Sequence, residues 1–154
     1  MAVKMIVCGG RDYTNYIRVF EFLSHLVRWI YEGGYGYKNN TPVHLLIEGE
    51  ATGADTLAAA WAIWKGMPLL RKPANWKKHK RAAGPIRNAE MLEVPGVNLV
   101  VAFPGGPGTA DMVAKAKEKN VQVIEVTDKP FDWESAHSKR WFPYGGAYPK
   151  NVSL

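Results

Sequence analysis

Cysteine is almost absent from this chain. Cys8 stands alone among 154 residues, which excludes an internal disulfide framework and a thiolate zinc site. The four histidines (His25, His44, His79 and His137) are dispersed and lack metal-ligand spacing, so neither a metal nor a resident cofactor is expected. No apolar run approaches the ~20 residues of a membrane-spanning helix. The sequence opens directly into a strand pattern, with no secretory apolar region and cleavage site. The expectation from both is a cytoplasmic protein with no membrane partner. Carboxylates are missing from one long stretch: none occurs between Asp55 and Glu90, where Lys65, Arg71, Lys72, Lys77, Lys78, Lys80, Arg81 and Arg87 all fall. Internal repeats and low-complexity segments are absent too.

What is present fits one folded domain. Apolar residues make up 47% and charged residues 22% of the chain, ordinary values for a globular protein. A chain of this length buries a sizeable core without staples. The net charge of +6 is concentrated in the carboxylate-free stretch. Such a block attracts a nucleotide phosphate or a nucleic-acid backbone, or it is a solvated face with no specific partner.

Met5-Ile6-Val7-Cys8 is a short apolar run ending at Gly9-Gly10, which predicts a buried strand. Apolar residues then recur at Val19/Phe20, Leu23, Leu26/Val27 and Ile30, the spacing of an amphipathic helix over residues 16–30 capped by Thr14 or Asn15. Residues 33–40 break it as a polar, flexible excursion. A second strand is expected at 44–48, an alanine-rich helix at 56–64 closed by Gly66 and Pro68, and a short third strand at 67–72 running into a basic loop that lasts to Arg81. Pro85 opens another helix, ended by Pro95-Gly96. Strand four covers 98–103, a helix 109–119 and strand five 122–126. Strands and helices alternating at these lengths imply an α/β fold, an open parallel sheet with helices on both faces. Residues 128–154 carry Trp133, Trp141, Phe142, Tyr144 and Tyr148 among prolines and glycines. They are expected as an irregular tail packed on the 1–127 domain or on a partner subunit. With Trp61 and Trp64 close together on one helix, that tail leads to the expectation of a homodimer or higher oligomer.

The stretch Phe103-Pro104-Gly105-Gly106-Pro107-Gly108-Thr109-Ala110-Asp111 reads as strand, loop and helix N-terminus. Glycines let a ligand approach the main chain, and the unpaired first-turn N–H groups favour an anion. The bland alternative is a tight turn and nothing more. Two further junctions, Gly9-Gly10 and Gly49-Glu50-Ala51-Thr52-Gly53, should meet it at one edge of the sheet. Ligands of such sheets bind beyond the carboxyl ends of the strands, where strand order reverses. Strands one and four, each leading into paired glycines, are the natural flanks, giving the order 3-2-1-4-5.

Four motifs occur in register: Gly10-Arg11-Asp12-Tyr13; Gly49 with Gly53-Ala54-Asp55; Trp76 with Gly84-Pro85-Ile86-Arg87-Asn88 and Met91; and the stretch from Phe103 to Met112. Over residues 3–127 the chain resembles the YspA-like branch of the SLOG superfamily, Rossmann-like proteins related to the Lonely Guy phosphoribohydrolases and to the DNA-processing protein DprA. The resemblance implies binding of a nucleotide or nucleotide-derived molecule, such as a phosphorylated nucleoside or an ADP-ribose-like ligand, at the Gly-Gly-x-Gly-Thr loop. In the phosphoribohydrolases it also implies hydrolysis of an N-glycosidic bond. Their Arg-x-x-x-Met helix is matched by Arg87 and Met91. Their Glu three residues after the loop threonine is not matched, because Met112 occupies that position. Thr52 stands where YspA-like proteins often carry Arg.

The candidate ligand-binding residues are Gly9, Gly10, Arg11, Gly53, Arg87, Asn88, Pro104, Gly105, Gly106, Gly108 and Thr109. Asp12, Asp55 and Asp111 are the carboxylates available for glycosidic cleavage, which needs an acid or a carboxylate beside the sugar. Asp55 equally fits a first-turn charge on a helix dipole. Trp76 either stacks on a base or tucks into the core. Three functional classes stay open: a nucleotide-processing hydrolase, a non-catalytic sensor or sponge for a nucleotide signal, and a nucleic-acid-binding protein like the DprA relatives. The last has less support, since no helix-turn-helix or RNA-binding motif is present.

Overall fold

The computed structural model describes residues 2–128. The aromatic-rich tail anticipated over 128–154 therefore lies outside the described residues, apart from Asp128.

Five short apolar runs form the strands Val3–Cys8 (β1), Val43–Glu48 (β2), Leu69–Arg71 (β3), Val97–Ala102 (β4) and Gln122–Glu125 (β5). All neighbours pair in parallel, in the order β3-β2-β1-β4-β5. The helices are Tyr16–Tyr31 (α1), Ala54–Lys65 (α2), the single turn Trp76–His79 (α3), Ala83–Leu92 (α4) and Pro107–Glu118 (α5). Parallel strands need crossover helices, and these cover both faces.

Side chains alternate across the sheet with the period of two that a strand imposes. Met5, Val7, Leu46, Leu99 and Val101 meet Phe22, Leu26, Ala58 and Trp61 from α1 and α2. Ile6, Cys8, Ile47, Val100 and Ala102 meet Met91, Met112, Val113 and Ala116 from α4 and α5. The chain winds outward from β1 to β3, then crosses back to place β4 on the other side of β1. That reversal opens the crevice at the carboxyl ends of β1 and β4.

Several local features differ from the expectations. The third strand is only three residues long, because Met67 closes α2: Gly66 adopts a left-handed φ of 73° and Met67 N–H bonds the Ala62 carbonyl at 2.8 Å. The basic loop contains α3, capped by the Asn75 side chain, which accepts from Lys78 N–H at 3.0 Å. Its lysines gave no apolar period to read. The 33–40 excursion is anchored, with Tyr35 buried beside Trp29. α5 begins at Pro107 rather than Thr109, using proline's preset φ in the first turn. Trp61 is fully buried, whereas Trp64 is 67% exposed and packs against Phe20.

Three βα junctions meet at one residue. Gly10 N–H donates to the Pro104 carbonyl at 2.9 Å, and the Gly10 carbonyl accepts from Ala54 N–H at 3.0 Å. A side chain on Gly9 would press on the Cβ atoms of Ala54, at 2.5 Å, and Phe103, at 3.0 Å. Gly53, at φ 76° and ψ −125°, lies against the Gly10 carbonyl, so an added Cβ would collide with backbone that cannot yield. Gly53→Ala is therefore expected to lower stability by at least about 1–3 kcal/mol, the usual cost of such a backbone strain. A urea midpoint unchanged from wild type would contradict this packing.

Candidate functional site

Among the described residues, two cavities open beyond the carboxyl ends of the strands. The first, about 530 Å³, lies between residues 12–15, residues 104–106 and Asp128. The second, about 320 Å³, is bounded by Arg11, residues 49–52, Pro73, Ala74, Trp76 and Arg87. Consecutive residues divide them: Arg11 faces the second cavity and Asp12 the first.

The second cavity is built from charge and aromatic surface. Arg11 leaves β1 just past the glycines, and its guanidinium lies 4.8 Å from the Trp76 ring centroid, within cation–π range. Trp76 is 46% exposed, so it is not a core residue. The Thr52 hydroxyl donates to the Arg11 carbonyl at 3.0 Å and fixes that turn. Arg87 projects from α4, its Nη1 donating to the Gly49 carbonyl and its Nε to Asn88 Oδ1 at 3.2 Å. A Cβ on Gly49 would run into the Arg87 guanidinium, so this glycine is what admits the arginine.

Asn88 links α4 to the glycine loop. It is 4% exposed, and its Nδ2 donates to the Gly108 carbonyl at 3.1 Å and to Asp111 Oδ2 at 2.9 Å. Asp111 also pairs with Lys115 at 2.8 Å. Gly105 is crowded, an added Cβ meeting the Thr109 hydroxyl and, at 2.7 Å, the Gly10 nitrogen, whereas Gly106 and Gly108 face open space. Pro104, Gly105 and Gly106 line the first cavity. The expected partners thus separate: Arg87 borders one cavity and the 105–106 backbone the other, with Asn88 between them. Gly9 and Gly53 serve close packing of the junctions.

The three candidate carboxylates do not converge. Asp12 borders the first cavity. Asp55 is buried, and its Oδ2 accepts from Gly49 N–H at 3.0 Å and Ala51 N–H at 3.2 Å, holding the 49–52 loop. Asp111 is engaged by Asn88 and Lys115. Met112, where the resemblance to the phosphoribohydrolases implies a glutamate, is fully buried in the core under α5.

One group escaped the sequence reading. Glu48, the last residue of β2, is 1% exposed. Its Oε2 accepts from Glu50 N–H at 2.7 Å, and Arg71 Nε approaches Oε1 at 3.4 Å. The available signal was a carboxylate ending an apolar strand immediately before Gly49. Burial pushes its pKa up to about 7; the Glu50 amide opposes this, Asp55 and Glu50 add to it, and Arg71 opposes it. Burial also raises Asp55, against the Ala51 and Gly49 amides, Arg87 and Arg11. Burial pushes the Cys8 thiol far up, so it carries no nucleophilic thiolate. Among the described residues, no group of three or more His, Cys, Asp or Glu is placed to hold a metal ion, and no helix is long and apolar enough to cross a membrane.

Comparison with known proteins adds the lineage. Residues 3–79 match the YspA, cpYpsA-related SLOG family. Gene 61 protein of Mycobacterium phage D29 is 30% identical over 137 residues, covering 82% of this chain and 98% of that protein. The chain belongs to the YspA-like SLOG family. Membership suggests a nucleotide-related function, while the phage relative's name states no activity. The family match ends before Arg87 and the 105–109 loop, which the fold brings to the same edge of the sheet.

Both buried carboxylates have folded-state pKa values above their unfolded ones, so the native state holds protons more tightly. The part of the stability that Glu48 contributes should therefore fall as pH rises from the ordinary glutamate value of 4.5 to about 7, and then level off. The loss attributable to Glu48 is on the order of 3 kcal/mol. Urea midpoints across this range test it: Glu48→Gln should flatten most of the decline, and an equally steep decline in that variant would refute the assignment.

Proposed function

We propose that this SLOG protein binds a nucleotide-derived anion at the carboxyl edge of its sheet, with the Arg11–Trp76–Arg87 cavity as the main recognition element. The observation that carries the reading is the convergence of two guanidinium groups and a half-exposed indole on one cavity. Guanidinium groups match phosphate oxygens in charge and geometry, and an indole face accepts a base by stacking. The neighbouring cavity offers the 105–106 backbone and the positive end of α5, which favours a second anionic group. A phosphorylated nucleoside or an ADP-ribose-like molecule has the chemistry for both.

Binding without turnover is the form of this reading that the carboxylates support. Asp55 and Asp111 are committed to internal partners, and Met112 stands where a glutamate would serve catalysis. Asp12, on the open first cavity, is the carboxylate left for acid–base work.

Calorimetry with AMP, ADP and ADP-ribose tests the site. Arg11→Ala and Arg87→Ala should each weaken binding by about 1.5–3 kcal/mol, the worth of a charged hydrogen bond. Gly106→Val should fold, since a Cβ there meets no atom within 4 Å, yet it should obstruct the backbone approach in the first cavity. A ligand that binds wild type and all three variants alike would place the site elsewhere.

A further inference from the structure

Behind the 49–52 loop lie two carboxylates that the binding reading leaves unused. Three successive amides turn inward onto them: Gly49 and Ala51 donate to Asp55 Oδ2, and Glu50 donates to Glu48 Oε2. Glu48 Oε1 is enclosed without a hydrogen-bond partner, Arg71 Nε lying 3.4 Å away but out of line. Glu48 is thus one hydrogen bond from a peptide that lines the cavity.

The charges facing this pair come from each surrounding element. Arg71 of β3 and Glu50 of the loop act on Glu48, and the two carboxylates act on each other. Arg87 of α4 and Arg11 beyond β1 act on Asp55. Cys8 of β1 also faces Asp55, as a neutral thiol. Two of the three compensating guanidiniums are therefore the two that line the cavity. An anion drawn to Arg11 and Arg87 adds negative charge beside the pair and competes for the positive charge that offsets it. A buried carboxylate answers such a change by taking a proton.

Resting on the reading of this cavity as an anion site, we propose that ligand binding there is coupled to proton uptake by the Glu48–Asp55 pair, so that the cavity takes an anion and a proton together. The complex then holds protons more tightly than the free protein. Affinity falls as pH rises through neutrality, by up to about tenfold per pH unit for one linked proton.

ADP-ribose and inorganic sulfate are suitable probes, because neither ionises near neutrality. Calorimetry at neutral pH in two buffers of different ionisation enthalpy should register net proton uptake, with affinity declining toward alkaline pH. Glu48→Gln should lose most of the uptake and most of the pH dependence. Carboxyl-carbon NMR of the wild-type protein gives a second measurement that needs no variant. Glu48 should titrate near neutrality, and its midpoint should rise with bound probe. Binding without proton exchange, weakened as expected by Arg11→Ala and Arg87→Ala, would overturn the coupling and leave the cavity reading intact. Glu48 titrating with ordinary carboxylates would overturn it as well. If neither probe binds, or if the arginine variants bind as wild type does, the cavity reading falls and the coupling falls with it.

Discussion

Everything at the carboxyl edge of the sheet depends on the backbone of Gly10. Its N–H holds the loop after β4 through Pro104, and its carbonyl holds the start of α2 through Ala54. Three loops spread over some ninety residues of the chain are thereby brought within hydrogen-bond distance. Such proximity calls for glycine at positions 9 and 53, where a Cβ would meet a neighbouring Cβ or backbone. The two cavities are the spaces left on either side of this joint.

Two glycine-rich junctions of similar appearance take opposite roles around it. At the end of β2, successive amides point inward and are filled by the protein's own carboxylates, Asp55 and Glu48. The Gly49 carbonyl turns to Arg87 instead. At the end of β4, Gly106 and Gly108 face open space, and α5 begins with its dipole directed at that space. The first junction is a self-satisfied wall, and the second is a surface available to a ligand. Burying acceptors in one wall also concentrates negative charge behind the guanidiniums of the cavity, which is the basis of the proposed link between recognition and protonation.

The family match and the geometry contribute different parts of the site. Residues 3–79 bring the Gly9-Gly10 turn, Arg11, the 49–55 loop and Trp76. Arg87, Asn88 and the 105–109 loop arrive from the second half of the chain, placed by the crossover that sets β4 beside β1. Arg87, through its bond to the Gly49 carbonyl, ties the two halves of the edge together.

By itself the sequence determined the fold class and the strand order. Apolar runs of strand length alternate with helical periods, and the handedness of parallel crossovers leaves few arrangements. The sequence also offered the junction glycines and Arg11 as candidates, because glycine pairs at strand ends are local patterns, and Arg87 and Asn88 through their place in the SLOG motifs. It did not separate Arg87 from the 105–106 backbone into two cavities. It could not tell that Asp55 is spent on loop amides or that Glu48 is enclosed. Whether a carboxylate is buried, and which N–H it meets, depends on groups brought together from distant parts of the chain. The tertiary structure alone decides that, because desolvation and hydrogen bonding act through space rather than along the sequence.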